Sequence, residues 1–317
     1  MATTDATWES VEEEQVGRPP LTPKQVAWRR FRRHKMAMIG VALVVGVILY
    51  VTVGALFFSE EDANHTDLSI KLSAPSREHP FGTDLVGRDI LARTIYGGQI
   101  SIIIGILAVV VSLVVGVLFG ALAGFYGGAV DSVLMRFTEA MLIIPSIFLL
   151  IVLAKILGGK VPTFQVLGRT FSGSVIVIIV VIGVTSWMYL ARIVRASFLS
   201  LKEQEYVTAS RCIGTRNRSI IVSHILPNTV APITVAATLG VAGAILAEAY
   251  VSFLGLGVQP PTATWGNMLD QAYHHLDTEP WMWFFPGMFI LITVLGINFL
   301  GDGLRDALDP RALAETD

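Results

Sequence analysis

The chain has 317 residues, 53% of them hydrophobic and 15% charged, with a mean hydropathy of +0.64. Soluble domains carry about 25% charged residues, so this composition excludes an ordinary water-soluble globule and points to lipid as the solvent. The net charge of −2 argues neither for nor against a nucleic-acid partner, and the single cysteine, Cys212, offers no internal disulfide and no CxxC metal pair.

The first 17 residues are acidic and poor in apolar side chains, which predicts a disordered tail over residues 1–21. Thr22-Pro23 then reads as an N-cap followed by proline at the first helical position. Val26, Trp28 and Phe31 alternate with arginines, so residues 22–35 read as a basic interfacial helix on the inner leaflet, anchored to anionic lipid. A run of about 18 or more apolar residues is a candidate membrane span. Met36–Phe58 is the first such run, too long for a signal-peptide core and read as a retained helix. Residues 59–98 form a long, polar outer segment, and the core runs over 99–305. Within it the runs are Ile100–Phe125, about Val130 to Leu157, Ser174–Leu199, Ile225–Leu256 and Met282–Leu300. The third contains Asp131, Arg136, Glu139 and Pro145, and is the least clean.

Lys and Arg mark the cytoplasmic side. Lys24, Arg29, Arg30, Arg32, Arg33 and Lys35 precede the first span, Lys202, Arg211, Arg216 and Arg218 lie between the fourth and fifth, and Arg305 and Arg311 follow the last. An all-α membrane protein of about six spans, N-in and C-in, puts all of them on one face, with residues 306–317 as a cytoplasmic tail. Lys71, Arg77, Arg88 and Arg93 in the outer segment are the exception.

Several chemistries find no motif: there is no GxxxxGK[ST] phosphate loop, no HExxH, no CxxC and no GxSxG. His274-His275 are adjacent and do not share a helix face as metal ligands would. No catalytic or metal residues are therefore assigned. Gly116, Gly120 and Gly124 place three glycines on one helix face, a small-residue packing surface in lipid. Charged or polar groups inside spans normally face a bundle interior or a watery cavity. Glu248, Asn298 and Glu139 are accordingly candidates for a translocation path or gate. For Glu139 the alternative is a local ion pair with Arg136, three residues earlier; for Glu248 it is a structural hydrogen-bond hub.

The cytoplasmic loop 201–228 is too long for a simple connection. Glu205–Ile213 has good helix formers, and Gly214 follows as a plausible C-cap. Tyr206, Ala209 and Cys212–Ile213 share a face, and small Ala209 and Ser210 leave an accessible flank for a partner groove.

This loop resembles the EAA motif of permease subunits of ATP-binding-cassette importers, on Ala209, Ser210 in place of the second alanine, Gly214, and Leu226-Pro227. The motif's leading glutamate falls at Thr208, and its later isoleucine at His224. Other segments resemble the dipeptide/oligopeptide/nickel branch: His79-Pro80-Phe81-Gly82-Thr83-Asp84 with Gly87-Arg88-Asp89, Phe125-Tyr126-Gly127-Gly128, Glu248 with 252–257, and 301–310. The resemblance spans roughly Trp28 to Arg311, and the basic segment before the first span suits the second of the two permease subunits.

The resemblance implies a type I importer permease fold in a prokaryotic plasma membrane. It further implies a heterodimer with a second permease, two ATPase subunits that bind ATP and Mg, and an extracytoplasmic binding protein. This chain itself would bind no cofactor and hydrolyse nothing. Glu205, Tyr206, Ala209, Ser210, Arg211, Gly214 and Arg216 would form the ATPase-coupling element. Thr262–Gly266 and the His79–Asp89 loop would face the binding protein, the latter equally well as a folded cap on the bundle. Peptides are the expected cargo, with nickel complexes or oligosaccharides as alternatives. Two readings from other classes stay open: an ion-gradient carrier with Glu248 as its ion site, and a non-transporting membrane scaffold.

Overall fold

The computed structural model describes residues 22–166 and 169–309. The acidic tail expected over residues 1–21 and the end of the C-terminal tail lie outside the described residues. Helix α1 (Pro23–Arg33) opens on a capping box in which Thr22 Oγ1 accepts from the Gln25 N–H and Gln25 Oε1 from the Thr22 N–H. One residue, His34, separates it from α2 (Lys35–Gly54), and its Nδ1 accepts from the Ala37 N–H at 3.0 Å, capping α2. A short outer helix, α3 (Glu60–Asn64), follows.

Helix α4 (Ile90–Tyr126) is 37 residues long and starts ten residues before the apolar run at Ile100. Asp89 starts it by accepting from the Ala92 N–H at 2.9 Å. Hydropathy ends near Gln99 because the outer turns pack on protein instead of lipid. Their polar groups find partners there: Arg93 donates to the Ala63 carbonyl, Thr94 to the Leu91 carbonyl, and Gln99 to the Val51 carbonyl.

The third apolar run is not one straight helix. Helices α5 (Gly128–Ile143) and α6 (Ser146–Leu157) meet at 86° across Pro145, which cannot continue the hydrogen-bond ladder. The pair still traverses the bundle. At its start Asp131 receives a two-pronged ion pair from Arg195 near the inner end of α7 (Ser174–Leu201), both contacts at 2.5 Å. At its finish Ala154, Lys155 and Gly158 line a crevice with Ser174 and Gly255–Gly257, at the outer end. Among the described residues five helices are long and apolar enough to span on their own, and the bent pair is the sixth crossing.

Between α6 and α7 the loop carries a small antiparallel hairpin, β1 (Phe164–Val166) and β2 (Arg169–Phe171), in register Phe164↔Phe171. Arg169 of this hairpin sits over the Tyr96 ring at 4.9 Å and donates to Gln99 Oε1 at 2.6 Å, tying the hairpin to α4. Helix α8 (Glu205–Cys212) lies between α7 and the long α9 (Asn217–Phe253). Helix α9 starts irregularly, with a π turn over Ile220–Ile225 and a 3-10 turn over Leu226–Thr229. Then come α10 (Trp265–Ala272) and α11 (Trp281–Leu308), the latter containing Pro286.

The glycine face of α4 packs on α7. A Cβ on Gly120 would lie 2.5 Å from the Ala191 carbonyl oxygen, and one on Gly124 would lie 2.8 Å from that of Arg195. A Cβ on Gly116 would lie 3.0 Å from the Trp187 carbonyl oxygen. From the other side, a Cβ on Gly183 of α7 would lie 2.9 Å from the Ala108 carbonyl oxygen. The two backbones therefore approach as closely as side-chain-free surfaces allow, the usual route to strong packing where lipid supplies no hydrophobic drive.

The outer segment is a folded cap. Asp84 accepts from the Arg88 Nε at 2.6 Å and lies 3.8 Å from Arg93 Nε, and both Asp84 and Arg93 are buried. Arg88 also donates to Gln271 of α10. The Thr83 hydroxyl donates to the Ile70 carbonyl, and the Thr83 carbonyl accepts from Trp281 Nε1 of α11. Two of the four cations that broke the charge rule, Arg88 and Arg93, thus share one carboxylate inside protein.

Candidate coupling surface and buried polar node

Helix α8 buries one side chain. Val207 is fully buried, in a cluster with Phe198 of α7 and Ile220 and Ile225 of α9. An eight-residue helix leaves the inward face ambiguous from spacing alone, and nothing in the sequence sets Val207 apart from Tyr206 and Ala209. With Val207 inward, Glu205, Tyr206, Ala209, Arg211 and Arg216 are exposed and Ser210 is half-buried. Ile213 is 82% exposed, an apolar side chain at the cytoplasmic end of the bundle that a partner surface would cover.

Gly214 ends the helix for a backbone reason. Its φ is +79°, its N–H donates to the Arg211 carbonyl at 2.9 Å, and the Thr215 N–H reaches back to the Ser210 carbonyl at 3.1 Å. A Cβ there would touch nothing within 4 Å, so Gly214→Ala meets only the left-handed penalty of about 1–2 kcal/mol. That variant is expected to fold, with faster hydrogen exchange confined to residues 205–215 as the check.

Two members of the element are engaged within the chain. The Arg211 guanidinium lies 5.5 Å above the Phe125 ring at the end of α4. The Tyr206 hydroxyl accepts from Asn228 Nδ2 at 3.4 Å, and the same amide donates to the His224 carbonyl inside the π turn of α9. Helix α8 is therefore joined to α9 at the stretch where α9 is not α-helical, a backbone form common at functional hinges.

At the other end of α9, Glu248 is fully buried and forms a hub. Ser252, one turn later, donates to Oε1 at 2.7 Å, and Ser101 of α4 donates to Oε2 at 3.1 Å. Ser252 was in plain view in the sequence as the i+4 neighbour. Each hydroxyl also accepts a backbone N–H, from Val258 and from Trp265, so its own proton is directed at the carboxylate. Trp265 opens α10, whose N-terminus favours negative charge. Asn267 extends the node to the Val258 and Thr262 carbonyls, and Thr262 Oγ1 accepts from the Ser172 N–H. Thr262, Ala263, Thr264 and Trp265 are all buried, so the stretch expected to meet a binding protein is a staple inside this chain. In the connection between α10 and α11, the Thr278 hydroxyl and the His275 ring hold the Glu279 carboxyl below its ordinary pKa.

Glu139 pairs with Arg136 at 3.8 Å, with side chains 60% and 87% exposed on α5. Asn298 turns onto its own helix, Nδ2 to the Val294 carbonyl at 2.9 Å. Neither touches Glu248, so the three polar residues form no common site within this chain. Among the described residues no group of three or more His, Cys, Asp or Glu is placed to hold a metal.

A sequence profile described as the binding-protein-dependent transport system inner membrane component matches residues 116–313, more than half of the chain. The chain belongs to this family. A second profile, the N-terminal TM domain of oligopeptide transport permease C, matches residues 22–75. The permease is 40% identical to the oligopeptide transport system permease protein OppC of Bacillus subtilis strain 168 over 298 residues, 94% of this chain and 93% of that protein. It is 39% identical to the dipeptide transport system permease protein DppC of the same organism over 301 residues, 95% of this chain and 89% of that protein. It is 42% identical to a putative peptide permease protein of Brucella suis biovar 1 over 285 residues, 89% of each.

The protein is thus a multi-pass permease subunit of an ATP-binding-cassette importer in a prokaryotic plasma membrane, with a type I fold, and ATP is hydrolysed on separate subunits. As a permease subunit it is not expected to bind a cofactor itself. The ion-gradient carrier and the scaffold are set aside.

Proposed function

We propose that the permease forms half of a peptide translocation path and receives the energy of ATP hydrolysis through α8. Peptide cargo is supported by the names of its relatives, which are oligopeptide, dipeptide and peptide permeases. Coupling is supported by one observation: α8 buries only Val207 and leaves Ala209 and Ile213 uncovered at the cytoplasmic end. Two ATPase subunits carrying ATP and Mg would each seat such a helix, one from this chain and one from a second permease. An extracytoplasmic binding protein would deliver peptide to the outer face. In this reading a pull on α8 passes through Val207 and Asn228 into the irregular start of α9, and α9 carries it towards the outer node.

The test is Ala209→Trp. Ala209 is exposed, so the fold should tolerate the indole, whereas a groove-bound helix would not. The variant is expected to insert normally, to lose ATPase subunits on co-purification, and to lose at least about 90% of ATP-driven peptide uptake, a cost of about 1.4 kcal/mol or more. Full uptake with the ATPases still bound would refute the coupling role. Competition of labelled peptide uptake by nickel complexes or oligosaccharides, with peptides ineffective, would refute the cargo.

A further inference from the structure

We propose that α1 is a docking site for anionic phospholipid headgroups of the cytoplasmic leaflet, with Lys24, Arg29, Arg32 and Arg33 as phosphate ligands and Trp28 at the headgroup–acyl boundary. The helix contains no acid, and these four side chains are exposed with no ion pair among the described residues. Trp28 is 61% exposed and stands between Lys24 and Arg32, one turn away on either side, on the same strip. An indole flanked by cations and facing away from protein suits the wet, negatively charged boundary of a bilayer.

The orientation of this strip is set by the protein. Val26, Ala27 and Phe31 are half-buried; the Phe31 ring borders the strip, stacking on Trp28 with centroids 6.1 Å apart, and lies 3.5 Å from where a Cβ on Gly303 of α11 would stand. His34 closes the joint: Nδ1 caps α2, and Nε2 lies 3.3 Å from Asp306 at the end of α11. Helix α2 begins at the next residue, and Met36, Met38 and Ile39 are exposed in its first turns, so the acyl region begins immediately beyond the cations. The strip therefore sits at headgroup depth. A headgroup bound there would also bear on α11 through α1. The inference does not depend on the coupling role of α8.

The experiment is native mass spectrometry of the full permease with its partner subunits, titrated with phosphatidylglycerol or phosphatidylcholine. The wild type is expected to retain phosphatidylglycerol selectively, with retention falling steeply from low to molar salt. K24Q/R29Q/R32Q/R33Q is expected to lose about tenfold or more of that retention. R29K/R32K/R33K, which keeps the charge, is expected to restore most of it. Because cations beside the first span also set topology, the wild-type salt series stands as an independent arm. Equal retention of the two lipids, retention indifferent to salt, or an unchanged quadruple variant that inserts normally would each overturn the proposal.

Discussion

Gly120→Leu is expected to abolish accumulation of folded permease. A Cβ at this position would sit 2.5 Å from the Ala191 carbonyl oxygen and 2.7 Å from Val194 Cβ, and neither belongs to a flexible side-chain end. Helices α4 and α7 would have to separate along the surface set by Gly116, Gly120, Gly124 and Gly183. Overpacking a tight contact costs about 1–3 kcal/mol in a core that relaxes, and two long helices held backbone to backbone relax poorly. The yield of monodisperse protein after detergent extraction checks this. Gly46→Ala is the matched control: it lies in α2 with nothing within 4 Å of the added Cβ, and alanine is the better helix former by about 1 kcal/mol. It is expected to match or exceed the wild-type yield. Equal yields for the two variants would show that the glycine face does not hold α4 to α7.

Glu248→Leu is expected to lower the thermal-unfolding midpoint of the purified complex by several degrees. It leaves the Ser101 and Ser252 hydroxyls, both buried and both already receiving a backbone N–H, without an acceptor. Each orphaned buried group costs about 1–3 kcal/mol. Glu248→Gln keeps one carbonyl acceptor, so it is expected to recover roughly half of the loss. The same pair of variants separates hub from gate. A hub loses midpoint and uptake together, Leu more than Gln. A gate would lose uptake with both variants at an unchanged midpoint, and that outcome would sink the structural reading of the node.

Much of the architecture was legible in the chain because lipid imposes few solutions. Apolar runs long enough to span, and the arginines gathered beside alternate ends of them, gave the crossings and their orientation. The resemblance at Ala209, Gly214 and Leu226-Pro227 pointed to the family to which the chain belongs. Where polar residues bond to protein, that reading failed. Helix α4 begins at Ile90 because Asp89 caps it and its outer turns bury Arg93 and Thr94, which no hydropathy window rewards. The third run bends by 86° at Pro145, yet its length and composition are those of a single span.

The sequence by itself determined the solvent, the number and direction of crossings, the left-handed stop at Gly214 and the close-packing face at Gly116, Gly120 and Gly124. These follow from local periodicity, glycine's conformational reach and the cost of charge in hydrocarbon. Only the tertiary structure decided that Val207 is the anchor of α8, that Glu248 closes a node with Ser101 from α4, and that Thr262–Trp265 turns inward. Those choices depend on partners up to 171 residues apart in the chain, the span from Thr94 to Trp265, and spacing within one helix carries no record of them.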